Sequence, residues 1–137
     1  MAEITKSGWP SPVSLNAGPD RYVALPGATA GEPMMPGDSF YVGTDGNLHL
    51  TDASGAAASA TTRFRGQVAQ MAGTGEAVTW GRGLIFQYPG VAATAVGTDL
   101  YLSLTTKGGY STTAPYAGAP PVGWVCAPGI IEFFFNK

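Results

Sequence analysis

Asp38-Ser-Phe-Tyr-Val42, Gly43-Thr-Asp-Gly46 and Asn47-Leu-His-Leu-Thr51 follow one another without a break. Two short runs of strand-favouring residues flank a turn containing Asp45-Gly46. That dipeptide suits a hairpin because the centre of a primed turn needs φ > 0. Phe40 and Val42 fall on one face of the first run, and Leu48 and Leu50 on one face of the second, so a single register buries both pairs. The stretch reads as a β-hairpin.

Working downstream, Arg63-Phe-Arg-Gly-Gln-Val-Ala-Gln70 alternates, with Phe64, Gly66 and Val68 on the inward face and Arg63, Arg65 and Gln67 outward. Gly75-Glu-Ala-Val-Thr-Trp80 and Gly83-Leu-Ile-Phe86 read as two further strands. The hairpin pattern then recurs. Gly97-Thr-Asp-Leu-Tyr-Leu-Ser-Leu104, the turn Thr105 to Gly109 and Tyr110-Ser-Thr-Thr-Ala114 parallel the stretch from Gly37 to Ala53. Each hairpin is followed by a strand containing glycine, Arg65-Gly-Gln-Val-Ala69 and Val122-Gly-Trp-Val-Cys126. Gly37 and Gly66 are 29 residues apart, Gly97 and Gly123 are 26, and the two units read as an approximate internal duplication. The chain closes with Ile130-Ile-Glu-Phe-Phe-Phe135, apolar on both faces, which predicts burial on both sides.

Helical periodicity is almost absent. The Ala-rich stretch 53–62 contains Gly55 and lacks an apolar stripe, so it reads as a loop. Upstream, Pro10, Pro12, Pro19 and Pro26 remove backbone donors and exclude a run of central strands. Residues 1–30 read as an extended Pro-rich arm with one strand at 21–25, and Trp9, Val13, Leu15 and Tyr22 make that arm apolar enough to dock. Residues 31–137 read as the folded domain. The expected class is all-β: a small antiparallel barrel or sandwich, duplicated internally, with an N-terminal arm.

Composition limits the functions open to such a chain. Its 137 residues make one domain, and glycine (20) with proline (11) approaches a quarter of them, against roughly 12% ordinarily. Only 12% of residues are charged and the net charge is −2. The seven basic residues form no stripe to neutralise phosphates, so no nucleic-acid partner is expected. No run approaches the ~20 apolar residues of a membrane span, and residues 1–9 carry no secretory signal, which points to synthesis in the cytoplasm. The single Cys126 has no disulfide partner and reads as a buried structural thiol.

A catalytic constellation is not legible. His49 is the only histidine and alternates with leucines on a hairpin strand, which reads as an outward-facing surface residue. Gly73-Thr-Gly-Glu-Ala-Val78 lacks the third glycine and the following helix of a phosphate loop. Asp38, Asp45, Asp52 and Asp99 stand at strand starts and turns, where carboxylates bond nearby amides, and none has the Asp-x-Asp-x-Asp spacing of a calcium loop. No catalytic, cofactor or metal residue is assigned. Trp9, Trp80 and Trp124, with Tyr41, Tyr88, Tyr101 and Tyr116, suit either a sugar-stacking platform or, more ordinarily, core and subunit interfaces.

The run Gly31-Glu-Pro-Met-Met-Pro-Gly-Asp-Ser-Phe-Tyr-Val42, followed by Asp45-Gly46 and Leu50-Thr-Asp-Ala-Ser54, resembles bacteriophage capsid decoration (cement) proteins. Gly75-Glu-Ala-Val-Thr79, Arg82-Gly83, Gly97-Thr-Asp-Leu-Tyr-Leu-Ser103, Thr113-Ala-Pro115 and Pro121-Val-Gly-Trp-Val125 continue the likeness in order, over residues 28–135. The resemblance implies a non-enzymatic virion protein on the outer capsid surface, often a homotrimer, that clamps neighbouring major capsid subunits. On this reading Trp9, Val13, Leu15 and Tyr22 of the arm contact the capsid, while Phe133, Phe134, Phe135 and Trp124 form the subunit interface. The alternative function is a carbohydrate- or receptor-binding module of a phage fibre.

Overall fold

The computed structural model describes residues 3–4, 10–12, 29–51 and 64–134. The strand expected at 21–25, the loop at 53–62 and Phe135 lie outside them, as do Trp9, Val13, Leu15 and Tyr22.

Ten short strands and one 3-10 turn (Pro89–Val91) make up the described fold, which is all-β. β2 (Ser39–Val42) and β3 (Leu48–Leu50) form the hairpin read from the sequence, with Phe40 opposite Leu50 and Val42 opposite Leu48. β4 (Phe64–Val68) lies on the other side of β2, and β5 (Trp80–Gly81) beyond it, giving a four-stranded antiparallel sheet of order β3-β2-β4-β5. The second sheet has six strands, in the order β1 (Ser11–Pro12), β6 (Ile85–Gln87), β10 (Ile130–Phe133), β9 (Gly123–Ala127), β7 (Asp99–Leu102) and β8 (Tyr110–Ser111). Two separate sheets stand where the sequence left barrel and sandwich open, and among the described residues no strand ladder closes them into a barrel.

The duplication is visible in strand order and in individual hydrogen bonds. Read from its outer hairpin strand, the first sheet runs β3-β2-β4-β5 and the second β8-β7-β9-β10. Phe40 pairs with Gly66 and Leu100 with Gly123. Gly37 N donates to Val68 O at 2.8 Å, and Gly97 N to Val125 O at 2.7 Å. Val68 N returns to Asp38 O, as Val125 N returns to Thr98 O. Gly37 and Gly97 sit at φ 88° and 96°, a left-handed turn into the strand that a side chain would strain. β6 and β1 are additions to the second unit.

Two predicted strands come out shorter, for local reasons. The stretch 75–80 pairs only at Trp80–Gly81 because its start bonds elsewhere: Gly75 N donates to Ala30 O and Ala30 N to Glu76 O. The stretch 110–114 ends as a strand at Ser111, whose hydroxyl accepts from Thr113 N at 3.0 Å and turns the chain away. Downstream of β8, Tyr116 to Ala119 forms a turn closed by Ala119 N donating to Tyr116 O, with Ala117 and Gly118 exposed.

Each sheet covers its own apolar cluster. Phe40, Leu48, Val68, Trp80, Met34 and Val78 pack with the first, where the Phe40 and Trp80 rings meet edge-on at 5.1 Å. Phe86, Leu100, Leu102, Tyr110, Val125, Ile131 and Phe133 pack with the second, together with Tyr88 and Ile4. Between the clusters runs a polar seam. Ser39 N donates to Gly108 O, Gly108 N to Thr51 O, and Thr51 N to Ser39 O, so the β7–β8 turn inserts its backbone into the base of the β2–β3 hairpin. Asp38, Ser39 and Thr51 are buried there, and Gln67, expected on the outside, is 0% exposed with its side chain beside the Tyr110 hydroxyl of β8.

The described parts of the first 30 residues lie along sheet edges. Ile4 N donates to Tyr110 O and Glu3 bridges Ser111 at the β8 edge, and the Ser103 hydroxyl donates to the Glu3 carboxylate. β1 pairs with β6 at the opposite edge of the same sheet, and Ala30 bridges Leu48 at the β3 edge. Unpaired sheet edges invite foreign strands, and these three contacts cover three of them.

Candidate binding face

The register of the six-stranded sheet sets out its outer surface. Ile131 and Phe133 of β10, Val125 of β9, Leu100 and Leu102 of β7 and Phe86 of β6 point into the core. Their alternates point outward. Ile85, Glu132, Trp124 and Asp99 stand opposite one another in a row across β6, β10, β9 and β7. Ile130 and Tyr101 extend this face along their strands, both half-buried, and Phe134 follows beyond β10 at 38% exposed. Trp124 Nε1 donates to Glu132 Oε1 at 3.0 Å, which fixes the indole across the strand pair. The result is an apolar, partly aromatic face with two carboxylates in its row.

The four residues expected at a subunit interface therefore part company. Trp124 and Phe134 belong to the outer face. Phe133 is 1% exposed and packs against Phe86 at 5.7 Å and Tyr110 at 5.0 Å, so the strand's alternation makes it a core residue. Phe135 and the four arm residues, Trp9, Val13, Leu15 and Tyr22, lie outside the described residues. Cys126 is half-buried, with Sγ 3.8 Å from Ile130 O, less enclosed than the sequence suggested because Val125 takes the inward position of β9 and alternation turns Cys126 to the other side.

Sequence reasoning missed what surrounds His49. Its Nε2 lies 3.0 Å from Asp45 Oδ2, and its Nδ1 3.5 Å from Glu32 Oε2. Glu32 Oε2 also accepts from Leu50 N at 3.1 Å, and Asp45 Oδ1 from Asn47 N at 2.9 Å. The Asn47 amide first, and His49 second, hold the Asp45 carboxyl below its ordinary range. A Cβ on Gly31 or Gly43 would come within 2.5 or 2.6 Å of the imidazole, so the ring fills a slot between two stretches of bare backbone. Both ring nitrogens are engaged by carboxylates that also brace the hairpin. The i, i+4 spacing of Asp45 and His49 was the available signal; Glu32 came from a separate stretch.

The second titratable cluster is internal. Tyr88 and Tyr110 are both 0% exposed, their rings 5.9 Å apart and edge-on. The Tyr110 hydroxyl donates to Gly37 O at 2.6 Å. Burial pushes both phenols up, and the nearby Asp38 adds to the effect. Asp38 Oδ2 accepts from Met35 N at 2.9 Å. Among the described residues no group of three or more His, Cys, Asp or Glu is arranged to hold a metal ion, and no helix is long and apolar enough to cross a membrane.

Comparison with protein-family models, curated proteins and solved structures gave no match to this chain.

Proposed function

We propose that the chain is a non-enzymatic structural virion protein that binds the outer surface of a phage capsid and cements neighbouring major capsid subunits. The observation that carries this reading is the outer face of the six-stranded sheet, where Ile85, Trp124, Tyr101, Ile130 and Phe134 offer apolar surface in a fold whose titratable clusters serve structure. His49 is tied to two carboxylates, and the buried phenols of Tyr88 and Tyr110 stay protonated. The resemblance across residues 28–135 supports the same role. In a lattice, many weak contacts of this kind act together, because each one made raises the effective concentration of the next.

Purified full-length protein mixed with undecorated capsids of its phage tests the proposal. Saturable co-sedimentation with a raised heat tolerance of the shells is expected, and Phe134→Asp should weaken it. Protein left in the supernatant at micromolar concentration overturns the cement role. Retention on a glycan matrix without capsid binding replaces it with the fibre-module reading. A monomer in sedimentation at the same concentration argues against the trimer.

A further inference from the structure

We infer that the seam between the two sheets is a binding site for ordered water, held by the Gln67 carboxamide and the Tyr88 hydroxyl. Gln67 is 0% exposed, and among the described residues neither its Nε2 nor its Oε1 has a partner in hydrogen-bond geometry. Tyr88 is likewise 0% exposed, and its hydroxyl has none. Buried polar groups in folded proteins are nearly always satisfied, by protein or by internal water.

These atoms belong to one locality. The Ser39 and Gln67 side chains stand beside the Tyr110 hydroxyl, Tyr88 and Asp38 lie within its electrostatic reach, and its own proton is committed to Gly37 O. Tyr88 packs its ring edge against Gly37, where an added Cβ would stand 3.0 Å from Cε2. A carboxamide supplies two donors and one acceptor, and a protonated phenol one donor. Water matches that set, since it can accept from the Tyr88 hydroxyl or the Gln67 amide and donate to Gln67 Oε1. An apolar guest would leave the same atoms bare. Fixing a water costs less than leaving buried donors unpaired, so water at this site lets the polar side of β4 face the second core.

Water-oxygen magnetic relaxation dispersion on the full-length protein, with Tyr88→Phe and Gln67→Met alongside it, decides the matter. The wild type should show long-lived internal water, and each variant should lose amplitude equivalent to at least one molecule. Both should melt below wild type, and the double variant should lose less than the two single losses together, because the same water is removed once. Unchanged dispersion amplitude in the folded variants overturns the inference. So does a rise in melting temperature for both, the signature of relieving dry, unpaired groups. Should Gln67→Met fail to fold, Tyr88→Phe removes one oxygen, keeps the ring, and decides alone.

Discussion

Gly66 and Gly123 occupy the same place in the two units, and for the same reason. A Cβ on Gly66 would stand 2.4 Å from Gly81 O, and one on Gly123 2.8 Å from Glu132 O. Both obstacles are backbone of the neighbouring strand, which cannot swing aside like a side chain. Gly66→Ala and Gly123→Ala are each expected to destabilise by about 1–3 kcal/mol, read as a lower urea midpoint, with the closer Gly66 contact costing more. The His49 cluster gives a prediction in acid. Because the folded state holds the Asp45 carboxyl below its ordinary 3.8, folding favours the ionised form. Its stabilising contribution is complete above that value and is lost as pH falls through the lower folded value. Asp45→Asn should therefore flatten the pH dependence of stability below pH 3.8, measured by denaturant unfolding across that range.

Among the elements, the N-terminal contacts change what a truncation would do. Ile4 is 6% exposed within the second core, and β1 completes an edge of the same sheet. Ile4→Ala should cost about 2 kcal/mol or more, seen as a lower melting temperature, whereas an N-terminus lying free of the domain would give no change. These docking contacts were hidden from the sequence because they join residues far apart, Glu3 to Ser103 and Ile4 to Tyr110. The hairpins were legible because their signals are local: Asp45-Gly46 at the turn, and alternation of Phe40 and Val42 against Leu48 and Leu50. So was the duplication, since Gly37 and Gly97 each open a unit. The burial of Gln67 was not legible, because alternation tells only that it opposes Val68. What stands on that side is Tyr110 of β8, some forty residues downstream. For the binding face, alternation along the last strand already sets Phe133 and Phe134 on opposite sides, but which side is buried comes only from the packing of β10, and Trp124 is placed beside Glu132 only by the β9–β10 pairing.

Across the whole molecule, two apolar clusters meet at a polar seam, and that seam sets the alkaline limit. Tyr88 and Tyr110 are held above their ordinary 10.0 by burial, so the unfolded chain loses these protons first. The tyrosines' contribution to stability is complete below pH 10.0 and falls above it, at about 1.4 kcal/mol per pH unit for each tyrosine. Tyr88→Phe should remove roughly half of that slope, measured by denaturant unfolding between neutral and strongly alkaline pH. The tip of the turn from Tyr116 to Ala119 is exposed at Ala117 and Gly118, with nothing within 4 Å of where a Cβ on Gly118 would lie. Lengthening such a tip costs chiefly closure entropy, about 0.6 kcal/mol for each doubling. A foreign epitope of a dozen or so residues spliced between Ala117 and Gly118 should therefore shift the melting temperature by only a few degrees, and antibody capture of the folded protein would read it out. The chain would then serve as a carrier for guest peptides, its two sheets untouched by the cargo.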